Sequence, residues 1–182
     1  VIHLAALIGI PYSYISPAAY IKTNIEGTYN ILEASKNNKV KQVLITSTSE
    51  TYGTAQTFKI SENHPLNAQS PYAASKISAD QMALSYYRSF ETPVKIIRPF
   101  NTFGPRQSLR AVIPTIITQA INHNIIEIGN INTSRDLTFV TDTCDAFYKI
   151  LKSDKLFVEV VNVGSDNDIS IKDIIEKVSK IL

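Results

Sequence analysis

The sequence predicts an α/β protein built on a parallel β-sheet, and three features support this prediction. The run "KQVLITST" lacks polar alternation, which is typical of a strand buried on both faces. Two long segments, "SPAAYIKTNIEGTYNILEASKNNKV" and "SPYAASKISADQMALSYYRSF", have the apolar spacing of helices. The order strand, helix, strand, helix, strand is the pattern of a parallel sheet with crossover helices.

The first elements can be placed in order. "VIHLAA" is predicted to form a short strand and its exit. The next helix has Ser16 as its candidate N-cap and Pro17 at its first position. After the strand "KQVLITST", Ser70 and Pro71 mark the start of the second long helix, and "PVKIIRPFN" is the next strand. The apolar residues of the first helix recur at spacings of three and four: Ile21, Ile25, Tyr29 and Leu32.

After "FGPRQ" the alternation loosens. "AVIPTIITQAINH" and "VTDTCDAFYKILKS" are predicted helices, and "NIIEIGN" and "VEVVNVG" are predicted strands. "SIKDIIEKVSKIL" is a final amphipathic helix with Ser170 as its candidate N-cap. We expect a boundary near Ser108: residues 1–108 form one domain and residues 109–182 part of a second, and residues of about 136–165 could return to the first.

Composition excludes several classes of function. The 182 residues are 44% apolar and 19% charged, as in globular proteins. The net charge of +2 is small and the lysines are scattered, which argues against nucleic acid as a partner. No apolar run approaches the roughly 18 residues of a membrane span. Cys144 is the single cysteine; it fits a reducing cytoplasm and is expected to be buried in its helix. No residues have the spacing of a metal site.

Tyr72 and Lys76 are the first candidates for chemistry. At i and i+4 near a helix start they share one face. A phenol has a reference pKa of about 10, so it is a poor base at neutral pH unless a nearby cation favours the phenolate. Bringing its pKa down to neutrality needs about 4 kcal/mol of differential stabilisation. The pair alone is weak evidence, because many helices contain it by chance.

The stretch "TSTSETYG" strengthens the case. It places Thr48 four residues before Tyr52, just after a strand, and Tyr72 follows Gly53 by about twenty residues. This pattern resembles the sugar-nucleotide enzymes of the extended short-chain dehydrogenase/reductase (NAD-dependent epimerase/dehydratase) family. In that family a strand-end hydroxyl residue precedes Tyr-Gly, and Tyr-x-x-x-Lys follows within a "SPYxxSK" helix.

The resemblance covers nearly the whole chain. "HLAA", "NIEGTYNILEA", "RPFNTFGPRQ" and "RDLTFVTD" match further family segments in the family's order. The resemblance implies a Rossmann-like sheet, with part of a smaller substrate domain, and NAD as cofactor. It implies that Asn101, Arg106 and Arg135 bind the nucleotide sugar. The residues that it assigns to the cofactor are Leu4, Ala5, Ala6, Asn24, Thr46, Ser47, Tyr72, Lys76 and Pro99.

Glu50 suggests which reaction the family member catalyses. Family 4,6-dehydratases carry a Glu two residues after the Thr, whereas epimerases usually carry small or apolar residues there. Oxidation at C4 makes the C5 proton acidic, and a carboxylate can remove it while the C6 hydroxyl leaves. The glucose dehydratases have an Asp where this chain has Ser49, so Glu50 or a water held by Ser49 could protonate the leaving oxygen. The resemblance thus implies five catalytic residues: Thr48, Ser49, Glu50, Tyr72 and Lys76.

Several alternatives stay open. The sequence looks most similar to UDP- or GDP-N-acetylglucosamine 4,6-dehydratases of bacterial legionaminic-type sugar pathways. "TSE" and "FNTFGPR" also occur in UDP-glucuronate decarboxylases, which need a cationic group for the C6 carboxylate. A sugar-nucleotide 4-epimerase is the third reading. The structural alternative for Glu50 is that of a solvated loop carboxylate.

The glycines raise an alternative of another class. The family binds the NAD pyrophosphate on a Gly-rich turn, but the six glycines, at positions 9, 27, 53, 104, 129 and 164, are far apart. We therefore expect an incomplete family member, which could be an inactive fragment or an interaction remnant. Complete relatives commonly form homodimers through the helices that correspond here to Asn24–Lys36 and Pro71–Phe90.

Overall fold

The computed structural model describes residues 1–123 and 125–182. A π-helical segment, Ile21–Glu26, joins the second and third α-helices, and a 3-10 turn, Ser49–Tyr52, follows the second strand. The strands and α-helices of the described residues, in chain order, are β1 (Ile2–His3), α1 (Ile10–Ile15), α2 (Pro17–Tyr20), α3 (Gly27–Asn37), β2 (Val43–Thr46), α4 (Pro71–Phe90), β3 (Val94–Pro99), β4 (Asn101–Phe103), α5 (Val112–Asn122), β5 (Ser134–Phe139), α6 (Val140–Lys152), β6 (Val160–Val163), β7 (Asp168–Ser170) and α7 (Ile171–Ile181).

The chain divides into two compact units. The first comprises Val1–Phe100 and Asp145–Val163, and the second comprises Asn101–Cys144 and Gly164–Leu182. Residues 101–108, which the sequence analysis assigned to the first domain, thus fall in the second unit. Most of the segment that could return to the first domain does lie in the first unit.

The first unit is built on a parallel sheet, as predicted. Its strand order is β1-β2-β3-β6, and every neighbouring pair runs parallel. One row of the sheet joins His3, Ile45, Ile96 and Val160 across all four strands. The predicted α/β fold class is therefore confirmed.

Apolar clusters cover both faces of this sheet, which explains why Val43–Ile45 of β2 is a continuous apolar run. Successive side chains of a strand point to opposite faces. Val43 and Ile45 of β2 accordingly join a cluster with Leu32 of α3 and Ala83 of α4. Leu44, between them, joins the other cluster, whose members are Leu44, Ile97, Ile150 and Val163.

Strand β3 also buries a lysine. Lys95 is 1% exposed, and its ammonium donates to Gln42 Oε1 and Ile150 O, each at 2.9 Å, and to Ser153 O. The two carbonyls belong to the end of α6, where the last turn of a helix leaves acceptors unsatisfied. A buried lysine is tolerated here because its hydrogens are all used.

The second unit has its own small sheet and core. β4 pairs with β5 in parallel, and β5 pairs with β7 antiparallel. Ile116 of α5 packs with Ile171 and Ile174 of α7. Ser170 caps α7 as predicted, since its hydroxyl accepts from Asp173 N at 3.0 Å.

The predicted strand "NIIEIGN" is wrong for residues 125–130, and Asn124 lies outside the described residues. The Gln119 side chain takes the place of a strand partner: its Nε2 donates to Glu127 O at 3.1 Å and its Oε1 accepts from Glu127 N at 2.7 Å. Ile126 and Ile128 still pack on the core of the second unit. Ile126 and Ile128 are therefore apolar because they pack on this core, although the segment does not pair as a strand.

Three local predictions also need correction. Ser16 makes no side-chain capping bond; its backbone N–H instead donates to Tyr12 O at 3.0 Å, at the end of the preceding helix α1. The single helix expected after it is interrupted by the π-helical segment. Cys144 is exposed rather than buried. Across the described ranges, no helix is both long and apolar enough to cross a bilayer.

Candidate active site

The turn after β2 carries the hydroxyl-rich stretch. Thr48 caps this 3-10 turn: its Oγ1 accepts from Glu50 N at 3.3 Å, and its carbonyl accepts from Thr51 Oγ1 at 2.8 Å. Thr48 is buried, whereas Ser49 and Glu50 are half-buried. The turn thus fixes Thr48 and Glu50 at the carboxyl end of a buried strand.

Helix α4 brings Tyr72 and Lys76 to the same strand end. Ser70 caps the helix, with its hydroxyl accepting from Ala73 N at 3.1 Å, as the sequence predicts. Tyr72 and Lys76 lie on the buried face and are 6% and 4% exposed. The Lys76 ammonium donates to Thr46 O at 2.5 Å, which ties the helix to the end of β2.

The Tyr72 phenol lies within electrostatic reach of the turn. The pKa of Tyr72 is raised to about 12: burial raises it most, the Thr48 hydroxyl lowers it, and the negative charge of Glu50 raises it. The expected lowering of this pKa by a neighbouring cation is therefore not observed in the protein alone. The physical reason is desolvation, which disfavours the phenolate, while the Lys76 ammonium is bonded to a carbonyl.

The surroundings of Lys76 act on its charge in opposite directions. Burial lowers the pKa of Lys76, and the Asp80 carboxylate raises it. His3 of β1 is close enough that burial first, and Lys76 second, lower the pKa of its imidazole. Its Nε2 lies 3.2 Å from Thr28 Oγ1. Because the Thr28 hydroxyl donates to Asn24 O at 2.6 Å, we assign the proton of this contact to His3 Nε2.

A buried polar network extends from the site. Asp80 Oδ2 accepts from Ser47 Oγ at 2.7 Å and from Arg98 Nη2 at 2.9 Å. Arg98 also donates to the Tyr52 hydroxyl at 3.0 Å, and its guanidinium lies over the Tyr52 ring, 5.0 Å from the centroid. The Tyr52 hydroxyl donates to Asn162 Oδ1 at 2.7 Å. The turn that carries Thr48 and Glu50 is therefore bonded at both ends.

Asn24 clamps the loop after β1. Its side chain accepts from Leu7 N at 2.8 Å and donates to Leu7 O and Ser75 Oγ, each at 2.9 Å. It lies in the π-helical segment, a distortion common at functional sites. Both ends of this amide are thus used within the protein, and its assignment to the cofactor stays a prediction.

The other residues predicted to bind NAD lie where three parallel strands end. Leu4, Ala5 and Ala6 follow β1, Thr46 and Ser47 end or follow β2, and Pro99 ends β3. Open α/β sheets bind ligands at this carboxyl edge. Thr46 Oγ1 is buried without a hydrogen-bond partner among the described residues. Within residues 1–123 and 125–182, the Lys76 ammonium donates one hydrogen bond, so two of its three N–H groups are available to a ligand. These groups fit a hydroxyl-rich ligand such as the ribose of NAD.

The three residues predicted to bind the substrate belong to the second unit. Asn101 lies in β4 and is half-buried. Arg106 is exposed and has a φ of 69°. Arg135 lies in β5, is exposed, and donates to Ser134 O at 2.8 Å. Their assignment to the nucleotide sugar stays a prediction. Within residues 1–123 and 125–182, no group of three His, Cys, Asp or Glu could hold a metal ion.

Sequence reasoning missed Asp80 and Arg98. Asp80 follows Tyr72 by eight residues and Lys76 by four, so it shares their helix face. Arg98 is a charged residue within the apolar run "VKIIRP". A buried charge needs a partner, so the two together were a readable signal of an ion pair at the site.

Gly53 ends the turn in a backbone conformation that favours glycine. Gly53→Ala is expected to lower the free energy of unfolding by roughly 2–4 kcal/mol, because the new methyl group causes both backbone strain and overpacking. Its φ is 66°, and a Cβ would lie 2.3 Å from Asn67 O, a backbone atom. Gly129→Ala is the matched control, since its Cβ would meet nothing within 4 Å. Urea unfolding measures both variants; equal stability of the two would contradict the prediction.

Comparison with known proteins agrees with this geometry. The sequence model of the family described as GDP-mannose 4,6 dehydratase matches residues 1–181. The dTDP-D-glucose 4,6-dehydratase of Dictyostelium discoideum is 34% identical over 193 residues, which cover 100% of this chain and 44% of that protein. The chain spans about half the length of the curated relatives that it matches.

Solved structures are similar over the same range. The UDP-glucuronic acid 4-epimerase of Bacillus cereus, solved with UDP-glucuronic acid and NAD, has a TM-score of 0.92 and 32% identity, covering 98% of this chain and 58% of that one. TunA, an NAD-dependent NDP-hexosamine 5,6-dehydratase of tunicamycin biosynthesis, has a TM-score of 0.92 and 31% identity, covering 100% of this chain and 59% of that one. With a strand-end Thr48 beside a Tyr72–Lys76 helix, the chain belongs to the GDP-mannose 4,6-dehydratase family of Rossmann-fold nucleotide-sugar dehydratases and epimerases.

Proposed function

We propose that the protein is an NAD-dependent nucleotide-sugar 4,6-dehydratase that converts UDP- or GDP-N-acetylglucosamine to its 4-keto-6-deoxy derivative. One observation carries the proposal: the Glu50 carboxylate lies close enough to the Tyr72 phenol to raise its pKa. The carboxylate makes no hydrogen bond or ion pair to residues 1–123 or 125–182. A half-buried carboxylate without a bonding partner, next to a reacting hydroxyl, is a candidate base.

We assign the side chains the roles that the family resemblance implies. When bound, NAD supplies a hydride acceptor that later returns the hydride, and in its oxidised form a positive charge. Tyr72 takes the proton of the C4 hydroxyl, and Thr48 is hydrogen-bonded to the same oxygen. Lys76 holds the cofactor and provides the local positive charge. Glu50 removes the C5 proton while the C6 hydroxyl leaves as water, protonated by Glu50 or by a water held by Ser49.

Two other reactions use part of this machinery. A 4-epimerase needs Tyr72 and Thr48 but has no task for a carboxylate at position 50, and the similarity to a UDP-glucuronic acid 4-epimerase supports it as the second candidate. A UDP-glucuronate decarboxylase needs a cation for the C6 carboxylate. Arg98 is unsuited to that role because it is 3% exposed and paired with Asp80.

The product distinguishes these reactions. The protein is incubated with NAD in deuterated water, in separate reactions with UDP-N-acetylglucosamine, GDP-N-acetylglucosamine and UDP-glucuronate. A product that has lost one molecule of water and carries deuterium at C5 is expected. A 4-epimer that keeps its C6 hydroxyl, or loss of carbon dioxide from UDP-glucuronate, would overturn the proposal. Failure to bind NAD would favour the inactive fragment or interaction remnant.

Glu50→Gln is expected to lower the rate of water loss by about 10²–10⁴-fold, the usual contribution of a general base. Binding of the nucleotide sugar should persist, because the amide keeps the size of the side chain. Glu159→Gln is the control, since Glu159 is an exposed carboxylate that follows α6. Product formation is followed by the absorbance of the 4-keto sugar. A normal rate in Glu50→Gln would exclude this carboxylate as the base.

We also propose that the protein acts in the cytoplasm as a homodimer. Tyr29 of α3 is 42% exposed and Phe90 of α4 is 54% exposed. These exposed apolar side chains support pairing through the helices Asn24–Lys36 and Pro71–Phe90, which the family resemblance implies. Sedimentation equilibrium tests this assembly, and a monomer at micromolar concentration would contradict it.

A further inference from the structure

Asp80 is a buried charge of the first unit to which the proposed chemistry assigns no task. Its side chain is 0% exposed. Oδ2 accepts three hydrogen bonds: from Ser47 Oγ at 2.7 Å, from Arg98 Nη2 at 2.9 Å and from Arg98 Nε at 3.2 Å. Oδ1 is buried and has no hydrogen-bond partner among the described residues. Hydrophobic residues of similar volume often replace a buried ion pair without loss of stability, so stability alone is a weak reason for this one.

The position of Asp80 links it to the reacting pair. Asp80 lies one helical turn beyond Lys76 and two beyond Tyr72, on the buried face of α4. The charged and titratable groups that it influences are Lys76 and Tyr72 of α4 and Arg98 of β3. The Asp80 carboxylate therefore acts on two cations: Arg98, with which it forms an ion pair, and Lys76, which belongs to the candidate active site.

The bonds of Asp80 also reach the turn that carries Thr48 and Glu50. Ser47 directly precedes Thr48, and its backbone N–H donates to Ile97 O at 2.7 Å. At the other end of the turn, Arg98 holds the Tyr52 hydroxyl. One carboxylate thus connects α4 with both ends of the segment 47–52.

We propose that Asp80 is a positioning residue: its carboxylate balances the buried ammonium of Lys76 and, through Ser47 and Arg98, holds the segment Ser47–Tyr52 against α4. The inference rests on the proposed function only in taking Tyr72 and Lys76 as the reacting pair. Asp80 touches neither substrate nor cofactor in this role; it sets the charge and position of groups that do.

If the Asp80 charge acts on Lys76 and Tyr72, Asp80→Asn should shift the pH dependence of turnover in a direction that can be stated in advance. Asp80 raises the pKa of Lys76 and also that of Tyr72, so its neutralisation lowers both. If turnover needs the phenolate and the ammonium, the acid and alkaline limbs of the pH–rate profile both move to lower pH. The value of kcat should fall by roughly 10- to 100-fold, the loss found when the outer hydrogen-bonding partners of metal ligands are removed. KM should change little.

Two controls separate charge from structure. Asp80→Glu keeps the charge and is expected to keep both limbs in place even where kcat falls. Asp145→Asn removes an acid from the exposed i,i+4 pair with Lys149 and should move neither limb. A purely structural role for Asp80 would lower kcat in Asp80→Asn without moving the limbs, and that result would overturn the proposal.

A direct titration of Lys76 tests the proposed role of Asp80 even if the protein forms no dehydrated product. Lysine labelled with ¹³C at Cε gives a Lys76 signal, identified by its loss in Lys76→Gln. Its titration midpoint is expected at lower pH in Asp80→Asn than in the wild type or in Asp145→Asn; an unmoved midpoint in folded Asp80→Asn would overturn the proposal. Absence of dehydration with a shifted midpoint would overturn the proposed function alone.

If Asp80→Asn does not fold, the same coupling can be measured from the other side, by titrating Asp80 in a variant of Lys76. Coupling between two titrating groups acts equally on both. Lys76 lowers the pKa of Asp80, so the ¹³C-carboxyl midpoint of Asp80 should lie at higher pH in Lys76→Gln, which leaves the ion pair with Arg98 intact. The same midpoint in wild type and Lys76→Gln would show that the two charges are uncoupled.

Discussion

Arg98→Ala is expected to lower the free energy of unfolding by about 3–5 kcal/mol, because it leaves a buried carboxylate without its cation. Arg98 and Asp80 are 3% and 0% exposed, and their closest atoms are 2.9 Å apart. The variant also loses the contact of the guanidinium with the Tyr52 ring. Guanidinium chloride unfolding, followed by circular dichroism, measures the effect.

The pH dependence identifies the cause of this loss. Burial raises the pKa of Asp80 and Arg98 lowers it, so removal of Arg98 raises it further. The folded variant then binds a proton more tightly than the unfolded chain, and its stability rises as the pH falls through the folded-state pKa. The difference in the free energy of unfolding between the wild type and Arg98→Ala should therefore become smaller at low pH.

Two further variants serve as controls. Lys149→Ala removes the cation of an exposed pair and should have little measurable effect. The double variant Arg98→Met, Asp80→Leu should be more stable than Arg98→Ala, because it leaves no unpaired charge. A double variant that is less stable than Arg98→Ala would contradict the account of a buried, uncompensated carboxylate.

Tyr72→Phe is expected to lower turnover by about 10²–10⁴-fold, since in the proposed mechanism the phenol exchanges the proton of the C4 hydroxyl. Stability should be almost unchanged, because the ring keeps its place against Tyr20, at 6.2 Å between centroids. The oxidation step is read from the absorbance of reduced nicotinamide in a single turnover, and the fold from thermal unfolding.

Tyr86→Phe is the matched control for this variant. Tyr86 lies on the same helix and is equally buried, but its hydroxyl donates to Glu33 Oε2 at 2.6 Å, and the residue packs in the core between α3 and α4. Turnover in Tyr86→Phe should be normal. A Tyr72→Phe variant that turns over as fast as Tyr86→Phe would exclude Tyr72 as the acid–base group.

Local patterns predicted the regular elements well where several signals agreed. The helix after Ser70 combines a capping hydroxyl, a proline at its first position and apolar spacing, and all three appear in α4. The segment 125–130 was mispredicted because its short run of isoleucines was the single signal. There the Gln119 side chain binds the backbone of Glu127, a contact between residues eight apart that no pattern of strand residues contains.

The sequence by itself determined the parallel sheet and the helix that presents Tyr72 and Lys76, because these depend on local spacing. Thr48 and Glu50 were identified through the family resemblance of the segment that follows the second strand. Tertiary structure alone decided the electrostatics. The pKa of Tyr72 is raised rather than lowered, because burial depends on everything packed around the ring. The Asp80–Arg98 pair likewise joins a helix and a strand, and its partners could be named only once both were folded together.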